Sequence, residues 1–136
     1  HGDAHFGLTY LNRGTLPWDG GLQRLNRLVG SGWTRDLLLT GRVIDAGQAL
    51  AIGLVNQVAE PADFELAVQE LIDRITASGP IAARFAKGAV NQGMNLTLEQ
   101  GLRLETDLNV ILQSTSDRRE GLRSFTERRG PKYSGS

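Results

Sequence analysis

The chain has 136 residues, the length of about one domain, and 40% of them are hydrophobic, enough to build a buried core. Its 15 Lys and Arg balance 15 Asp and Glu, so net charge gives no support for a nucleic-acid or anionic-membrane partner. There is no Cys, which excludes disulfides and Cys-based metal or redox sites. His1 and His5 have no metal-ligand spacing to other residues, and no apolar run reaches the roughly 18 residues of a membrane span. We therefore expect a cytoplasmic protein with no metal site and no membrane segment.

The chain before residue 60 predicts short elements that are separated by glycines. Its start alternates apolar and aromatic residues with smaller ones, which indicates a strand. Two helices then meet around Gly30, and a third helix is capped by Asp45 and ends at Gly53, which needs a positive φ. A second brief strand follows. In chain order, we predict these elements over His5–Leu11, Leu22–Val29, Trp33–Thr40, Ala46–Gly53 and Leu54–Ala59.

The chain after residue 60 predicts helices and a tail. Pro61 suits a first helical position, and Gly79 with Pro80 ends the helix that follows. A capping box at residues 97–100 (TLEQ) starts a long helix. The tail, Gly130–Ser136, is rich in Gly, Pro and Ser and is expected to run over the surface. The predicted helices cover Ala62–Ala77, Ile81–Asn91, Leu98–Gln113 and, with Ser116 as its cap, Asp117–Arg128.

The strand content is too low for an independent sheet, because two strands alone are marginal in water. We therefore expect the strands to join others that lie outside this chain. The first residue is His1 rather than Met, and the opening HGDAHFGLTYL has the character of the middle of a fold. Both observations lead us to expect the C-terminal part of a longer protein.

The stretch Gly14–Gly30 is the predicted functional centre. Gly20 and Gly21 allow backbone conformations that a side chain would forbid, and they place main-chain amides at a helix N-terminus that favours negative charge. Trp18 and Asp19 lie at the mouth of this turn. Asp19 can serve as an acid or base, or it can be a turn residue that accepts hydrogen bonds from the amides of the two glycines.

Four segments, in order and together spanning essentially the whole chain, carry one family pattern. They are Gly14–Leu25 (GTLPWDGGLQRL), Leu37–Val58 (LLLTGRVIDAGQALAIGLVNQV), Ser78–Asn91 (SGPIAARFAKGAVN) and Ser116–Pro131 (SDRREGLRSFTERRGP). Each alone is a weak signal, and together they are strong. On these motifs the chain resembles the crotonase, or enoyl-CoA hydratase/isomerase, superfamily.

The resemblance implies an α/β fold, crotonase-like, with a spiral ββα core and a C-terminal helical region that forms trimers, often paired into hexamers. Residues 1–60 would be the end of the core and 61–136 the oligomerisation region. The N-terminal half of the fold would be missing, so this mostly helical portion alone is expected to be inactive. The substrate would be an acyl-CoA thioester, with coenzyme A entering as part of it and no separate cofactor. Two backbone amides of the missing half would stabilise a thioester enolate.

The resemblance also assigns the catalytic residues. Hydratases of the family carry a second catalytic acid in a Pro-Glu pair, and Thr9 and Tyr10 stand at those positions. A phenol keeps its proton at neutral pH and cannot readily replace a carboxylate as a base. The predicted mechanism therefore uses Asp19 as acid and base and Tyr10 as hydrogen-bond donor, with Leu16, Pro17 and Trp18 lining the substrate pocket. Tyr10 can instead be a strand residue that faces the core, and Trp18 can be a packing residue.

The end of the last helix matches the family positions that bind coenzyme A. Phe125 and Arg128 stand where adenine and phosphates of a ligand on a neighbouring subunit are met, which suits an aromatic face and a guanidinium. They can instead be an exposed helix end. The leading hypothesis is an acyl-CoA hydratase-type lyase or isomerase, active in its full-length form on a cyclic or otherwise non-standard enoyl-CoA. The alternative is a non-catalytic acyl-CoA-binding or oligomerisation scaffold, motivated by Tyr10.

Overall fold

The computed structural model describes residues 1–18 and 20–136, which form two compact units, His1–Val68 and Gln69–Ser136. Short 3-10 turns at Leu11–Arg13 and Pro61–Asp63 precede α1 and α3. The predicted division at residue 60 between core and oligomerisation region concerns the whole protein and stays a prediction. The strands and α-helices are β1 (His5–Gly7), α1 (Gly21–Thr40), β2 (Val43–Asp45), α2 (Ala46–Ala51), α3 (Phe64–Thr76), α4 (Pro80–Gly93), α5 (Leu98–Gln113) and α6 (Ser116–Thr126).

The first unit contains an antiparallel pair of three-residue strands in which Phe6 lies opposite Ile44. The predicted first strand is too long, because Tyr10 has helical angles (φ −65°, ψ −40°) and its carbonyl accepts the amides of Arg13 (3.0 Å) and Thr15 (3.2 Å). These local bonds turn the chain before a longer strand can form. The second strand of the pair was not predicted, because three residues are too few to show an alternating pattern.

The predicted strand over Leu54–Ala59 is wrong. The amides of Leu54 and Val55 both donate to the carbonyl of Ala49, at 2.9 and 3.3 Å, and so close the end of α2. Backbone donors used in this way are not available to a neighbouring strand. The segment therefore runs as irregular chain beyond α2.

The core of the first unit is small and lies between α1, β2 and α2. Ile44 is 1% exposed, and Leu37 and Ala49 are buried beside it. Ala49 has no exposed area at all, so α2 approaches the core with its smallest side chain. Partly buried apolar residues complete this cluster: Phe6, Leu25, Ile52, Leu54 and Val55.

Glycines set the bends of the first unit where they were predicted. Gly30 has φ 79° and ψ 165° and breaks α1 into the two predicted helices, and Gly41 ends the second of them with φ 63°. Asp45 caps α2 by accepting the amide of Gln48 at 2.8 Å, and Gly53 has φ 75°. In each case a positive φ lets the chain change direction at little steric cost.

Helix ends in the second unit are fixed by side-chain caps. The predicted capping box of α5 is present, with Thr97 and Gln100 bonded to each other's amides at 3.3 and 3.1 Å. Thr115, not the predicted Ser116, caps α6, because Thr115 is the last residue with extended angles. Its hydroxyl accepts the amide of Arg118 (3.1 Å) and donates to the carbonyl of Leu112 (2.8 Å), which joins α5 to α6.

The predicted tail lies at the surface but is fixed there by hydrogen bonds to α6. Among the described residues, none of the helices combines the length and apolar character that crossing a bilayer requires.

Replacing Ile44 by Ala should lower the free energy of unfolding by about 2–5 kcal/mol, since it removes a side chain with almost no exposed area and leaves a cavity. Val43→Ala is the matched control on the opposite face of β2, where Val43 is 56% exposed, and should cost no more than about 1 kcal/mol. Urea denaturation followed by circular dichroism measures both. Equal losses would contradict this placement of the core.

Candidate functional site

The turn before α1 is shaped by glycines for two different reasons. Gly14 (φ 67°) and Gly20 (φ 73°) adopt left-handed angles that disfavour side chains. At Gly21 the reason is space, because a Cβ there would lie 3.2 Å from Cβ of Pro17, a tight contact. The amide of Gly21 donates to the carbonyl of Trp18 at 3.1 Å, so the turn closes directly into α1.

The predicted acid of this turn, Asp19, lies outside the described residues, and its two predicted roles stay predictions. Its neighbours are exposed apolar residues. Trp18 has 78% and Leu16 60% of its area exposed, whereas Pro17 is partly buried against Gly21. Large apolar side chains clustered at a surface mark a contact with a ligand or another protein segment.

Tyr10 lies beyond the end of β1 and is 40% exposed. The alternative prediction, in which Tyr10 is a strand residue that faces the core, is therefore wrong. Its carbonyl accepts both the amide and the hydroxyl of Thr15, at 3.2 and 3.1 Å, and the amide of Arg13. The backbone that carries the phenol is therefore well fixed. A hydrogen-bonding role for its hydroxyl stays a prediction.

An apolar cavity of about 380 Å³ adjoins the turn. Gly21 contributes to its wall, so the cavity begins where the turn enters α1. Within the described residues, the wall does not include the predicted pocket residues Leu16, Pro17 and Trp18. The residues that do line the cavity were not predicted. Their apolar character is visible in the sequence, but their meeting in space across separate segments is not. They are His5, Phe6, Gly7, Leu8, Gly21, Leu25, Leu37 and Leu54.

The two predicted coenzyme A contacts lie together at the end of α6. Phe125 is 85% exposed, and its carbonyl accepts the amide of Arg128 at 3.2 Å. The amide of Arg129 donates to the carbonyl of Ser124 at 3.0 Å, which completes a Schellman ending. Arg128 occupies the left-handed position of this ending, with φ 52°, where glycine is usual. An arginine there carries steric strain that the fold alone does not require.

Neighbouring charges are paired in a network at the same helix end. Arg129 makes a two-pronged ion pair with Glu120 (2.5 and 3.0 Å) and a further bond to Glu127 (2.6 Å), which also accepts from Arg123 (2.8 Å). The ion pairs of the described residues include Arg123 and Arg129 but not Arg128.

The network shifts the titration of its members. The hydrogen bonds that Glu120 accepts from the Arg129 guanidinium and the Lys132 amide lower the pKa of Glu120 from 4.5 to about 2. The hydrogen bonds that Arg129 donates to Glu120 and, with a smaller effect, to Glu127 raise the pKa of Arg129. Hydrogen bonds from Arg123 and then Arg129 lower the pKa of Glu127. The charged forms of these groups therefore stabilise one another.

The whole chain, residues 1–136, matches the model of the enoyl-CoA hydratase/isomerase family, and the chain belongs to that family. A solved enoyl-CoA hydratase from Bacillus anthracis superposes with a TM-score of 0.97 at 39% identity, covering 99% of this chain and 52% of that one. The fold is thus crotonase-like, as the sequence motifs predicted.

Curated relatives agree with this assignment. The crotonyl-CoA hydratase of Syntrophomonas wolfei is 39% identical over 127 residues, which are 93% of this chain and 49% of the relative. The mitochondrial methylglutaconyl-CoA hydratase of Mus musculus is 38% identical over 136 residues, covering 97% of this chain and 43% of the relative. The chain spans about half the length of the curated relatives it matches.

We expect the stability that Glu120 contributes to depend on pH. Because its folded pKa of about 2 lies below the ordinary 4.5, the contribution is complete above about pH 4.5 and is lost as the pH falls towards 2. Urea denaturation of the unaltered protein and of Glu120→Gln over this range should therefore give curves that converge at low pH. Carbon-13 NMR titration of the Glu120 carboxyl checks the same shift, and a midpoint near 4.5 would contradict it.

Proposed function

We propose that this chain supplies half of the active site of an acyl-CoA hydratase or isomerase. The observation that carries the proposal is the family match over all 136 residues together with the glycine turn at the edge of an apolar cavity. The cavity is the proposed place for the acyl chain, since its wall is almost wholly apolar apart from His5. The turn would bring the Asp19 carboxylate to the reacting carbons.

The other half of the same fold is the proposed partner of the first unit. A sheet of two three-residue strands is too small to be stable alone, and Leu16 and Trp18 of the same unit are exposed. Strands and helices of the missing N-terminal half would cover these surfaces. They would also provide the two backbone amides that stabilise the thioester enolate, which is why residues 1–136 by themselves are expected to be inactive.

The proposed chemistry is proton transfer through an enolate. In hydration, the Asp19 carboxylate takes a proton from water as the water oxygen adds to the β-carbon, and the resulting enolate is protonated at the α-carbon by the Asp19 carboxylic acid, which regenerates the carboxylate. In isomerisation, the same carboxylate removes a proton from one carbon and returns it to another. Tyr10 donates a hydrogen bond in place of the second acid. This replacement supports a cyclic or otherwise non-standard enoyl-CoA rather than the linear crotonyl-CoA of the Syntrophomonas wolfei relative.

Residues 61–136 are the proposed oligomerisation region, in a trimer or hexamer. Its helices expose large apolar side chains that a stable monomer would bury, among them Val90 (68%), Leu98 (80%) and Val110 (65%). Phe125 and Arg128 would bind the adenine and phosphates of coenzyme A on a neighbouring subunit. The strained backbone of Arg128 supports this role, because an anionic ligand gives a reason to keep a guanidinium at a position suited to glycine.

Asp19→Asn in the complete protein should lower kcat by about 100-fold or more on linear and cyclic enoyl-CoA substrates, because it removes the proposed base. Tyr10→Phe is the companion variant, which removes only one hydroxyl and should cause a smaller loss. Steady-state kinetics measures both. Unchanged turnover of Asp19→Asn on every substrate would rule out the acid and base role. Tight acyl-CoA binding without turnover by the unaltered protein would favour a scaffold.

Arg128→Gly should stabilise the fold and weaken the binding of acyl-CoA. Relief of left-handed strain, of about 1–2 kcal/mol, exceeds the added backbone entropy of glycine, about 0.5–1 kcal/mol. We therefore expect a net gain of about 0.5–1 kcal/mol in unfolding free energy and a raised KM for acyl-CoA. Arg119→Ala, which removes another exposed arginine of α6, is the control and should leave KM unchanged. A KM of Arg128→Gly equal to that of the control would contradict the ligand role.

A further inference from the structure

Residues 129–136, which we call the strap, fold back along α6 and are held by two carboxylates of that helix. Asp117, 6% exposed, is the first anchor. Its carboxylate accepts the amides of Ser134 (2.7 Å) and Gly135 (3.0 and 3.2 Å) and the Ser134 hydroxyl (3.4 Å). In return, the carbonyl of Ser136 accepts the first amides of the helix, from Ser116 (2.8 Å) and Asp117 (3.2 Å).

Glu120 is the second anchor. Besides its two-pronged pair with Arg129, its carboxylate accepts the amide of Lys132 at 2.9 Å. Its bonds therefore close the turn that leads from the end of α6 into the strap. The low pKa of Glu120 keeps this anchor charged down to acidic pH.

The ring of Tyr133 is packed between glycines of two helices. A Cβ added at Gly79, just before α4, would lie 3.7 Å from this ring, and one at Gly121 in α6 would lie 3.4 Å from its hydroxyl. Residues 117, 120 and 121 are spaced by three and four, so they share one face of α6. The strap covers that face up to Gly121, and Phe125, one turn further along α6, is 85% exposed.

Arg128 is consequently fixed from both sides. Its own amide and that of Arg129 close the Schellman ending on Phe125 and Ser124, and the side chain of Arg129 is held by Glu120. The ion pair with Glu120 therefore restrains the residue that follows Arg128 directly in the chain.

We propose that Glu120 and Asp117 are positioning residues, which act through the strap to hold Arg128 and Phe125 in the orientation that binds the nucleotide end of an acyl-CoA. This inference rests on the proposed function of those two residues. Neither carboxylate is proposed to touch the ligand.

The test compares an acyl-CoA with the corresponding acyl-pantetheine, which has the same thioester but lacks the nucleotide. In the full-length active protein, Glu120→Gln and Asp117→Asn should each raise KM for the acyl-CoA. The kcat/KM for acyl-CoA divided by the kcat/KM for acyl-pantetheine should therefore fall about tenfold. Turnover of acyl-pantetheine should not change, and this also reports correct folding. Glu99→Gln is the control, because it breaks an exposed ion pair of similar length with Arg103 on α5.

The outcomes separate this inference from the proposed function. If Arg128→Ala leaves the substrate ratio unchanged, the nucleotide role of that residue is wrong. If Arg128→Ala lowers the ratio but the anchor variants do not, or if they lower both activities equally, the positioning role is overturned. Tyr133→Leu loosens the strap without altering either carboxylate, and it replaces an anchor variant that fails to fold. It should lower the same substrate ratio, and an unchanged ratio would overturn the positioning role.

Discussion

The burial of Ile44 against Leu37 and Ala49 is the contact on which the first unit depends. It fixes β2, and through it β1, against the second part of α1. Leu37 belongs to both the core and the cavity wall, so the same contact sets the shape of the candidate acyl site. Both parts of α1 border the cavity, Gly21 and Leu25 before the bend at Gly30 and Leu37 after it.

The second unit is built on a different balance. Its most buried residues are polar, namely Thr115, Asp117 and Ser124, and each is satisfied by backbone groups. Of the large apolar side chains of its helices, some, such as Phe85 and Leu108, are partly buried, whereas many others are exposed. Hydrogen bonds therefore contribute to the internal order of this unit, and the exposed apolar surface remains available for association with other surfaces.

Helices and their ends were largely predictable, because caps and glycines act locally: the capping box at Thr97, the cap at Asp45 and the bend at Gly30 were all present as expected. The strand predicted over residues 54–59 is absent, because the amides of Leu54 and Val55 donate hydrogen bonds to the end of α2. Strand propensity alone does not show that these amides are used in this way. The glycine turn before α1 was predicted from the sequence, but the cavity beside it and the strap were not. Both depend on residues distant in sequence, and the anchor Glu120 looks in the sequence like any exposed helical acid.

Gly20 and Gly21 restrict the chain in different ways, Gly20 through its left-handed backbone angles and Gly21 through its close approach to Pro17. Together they set the path of the backbone without help from the side chain of Trp18, which is 78% exposed. A residue of this kind can be exchanged while the turn keeps its form. The side chains that this turn presents can therefore change at low structural cost.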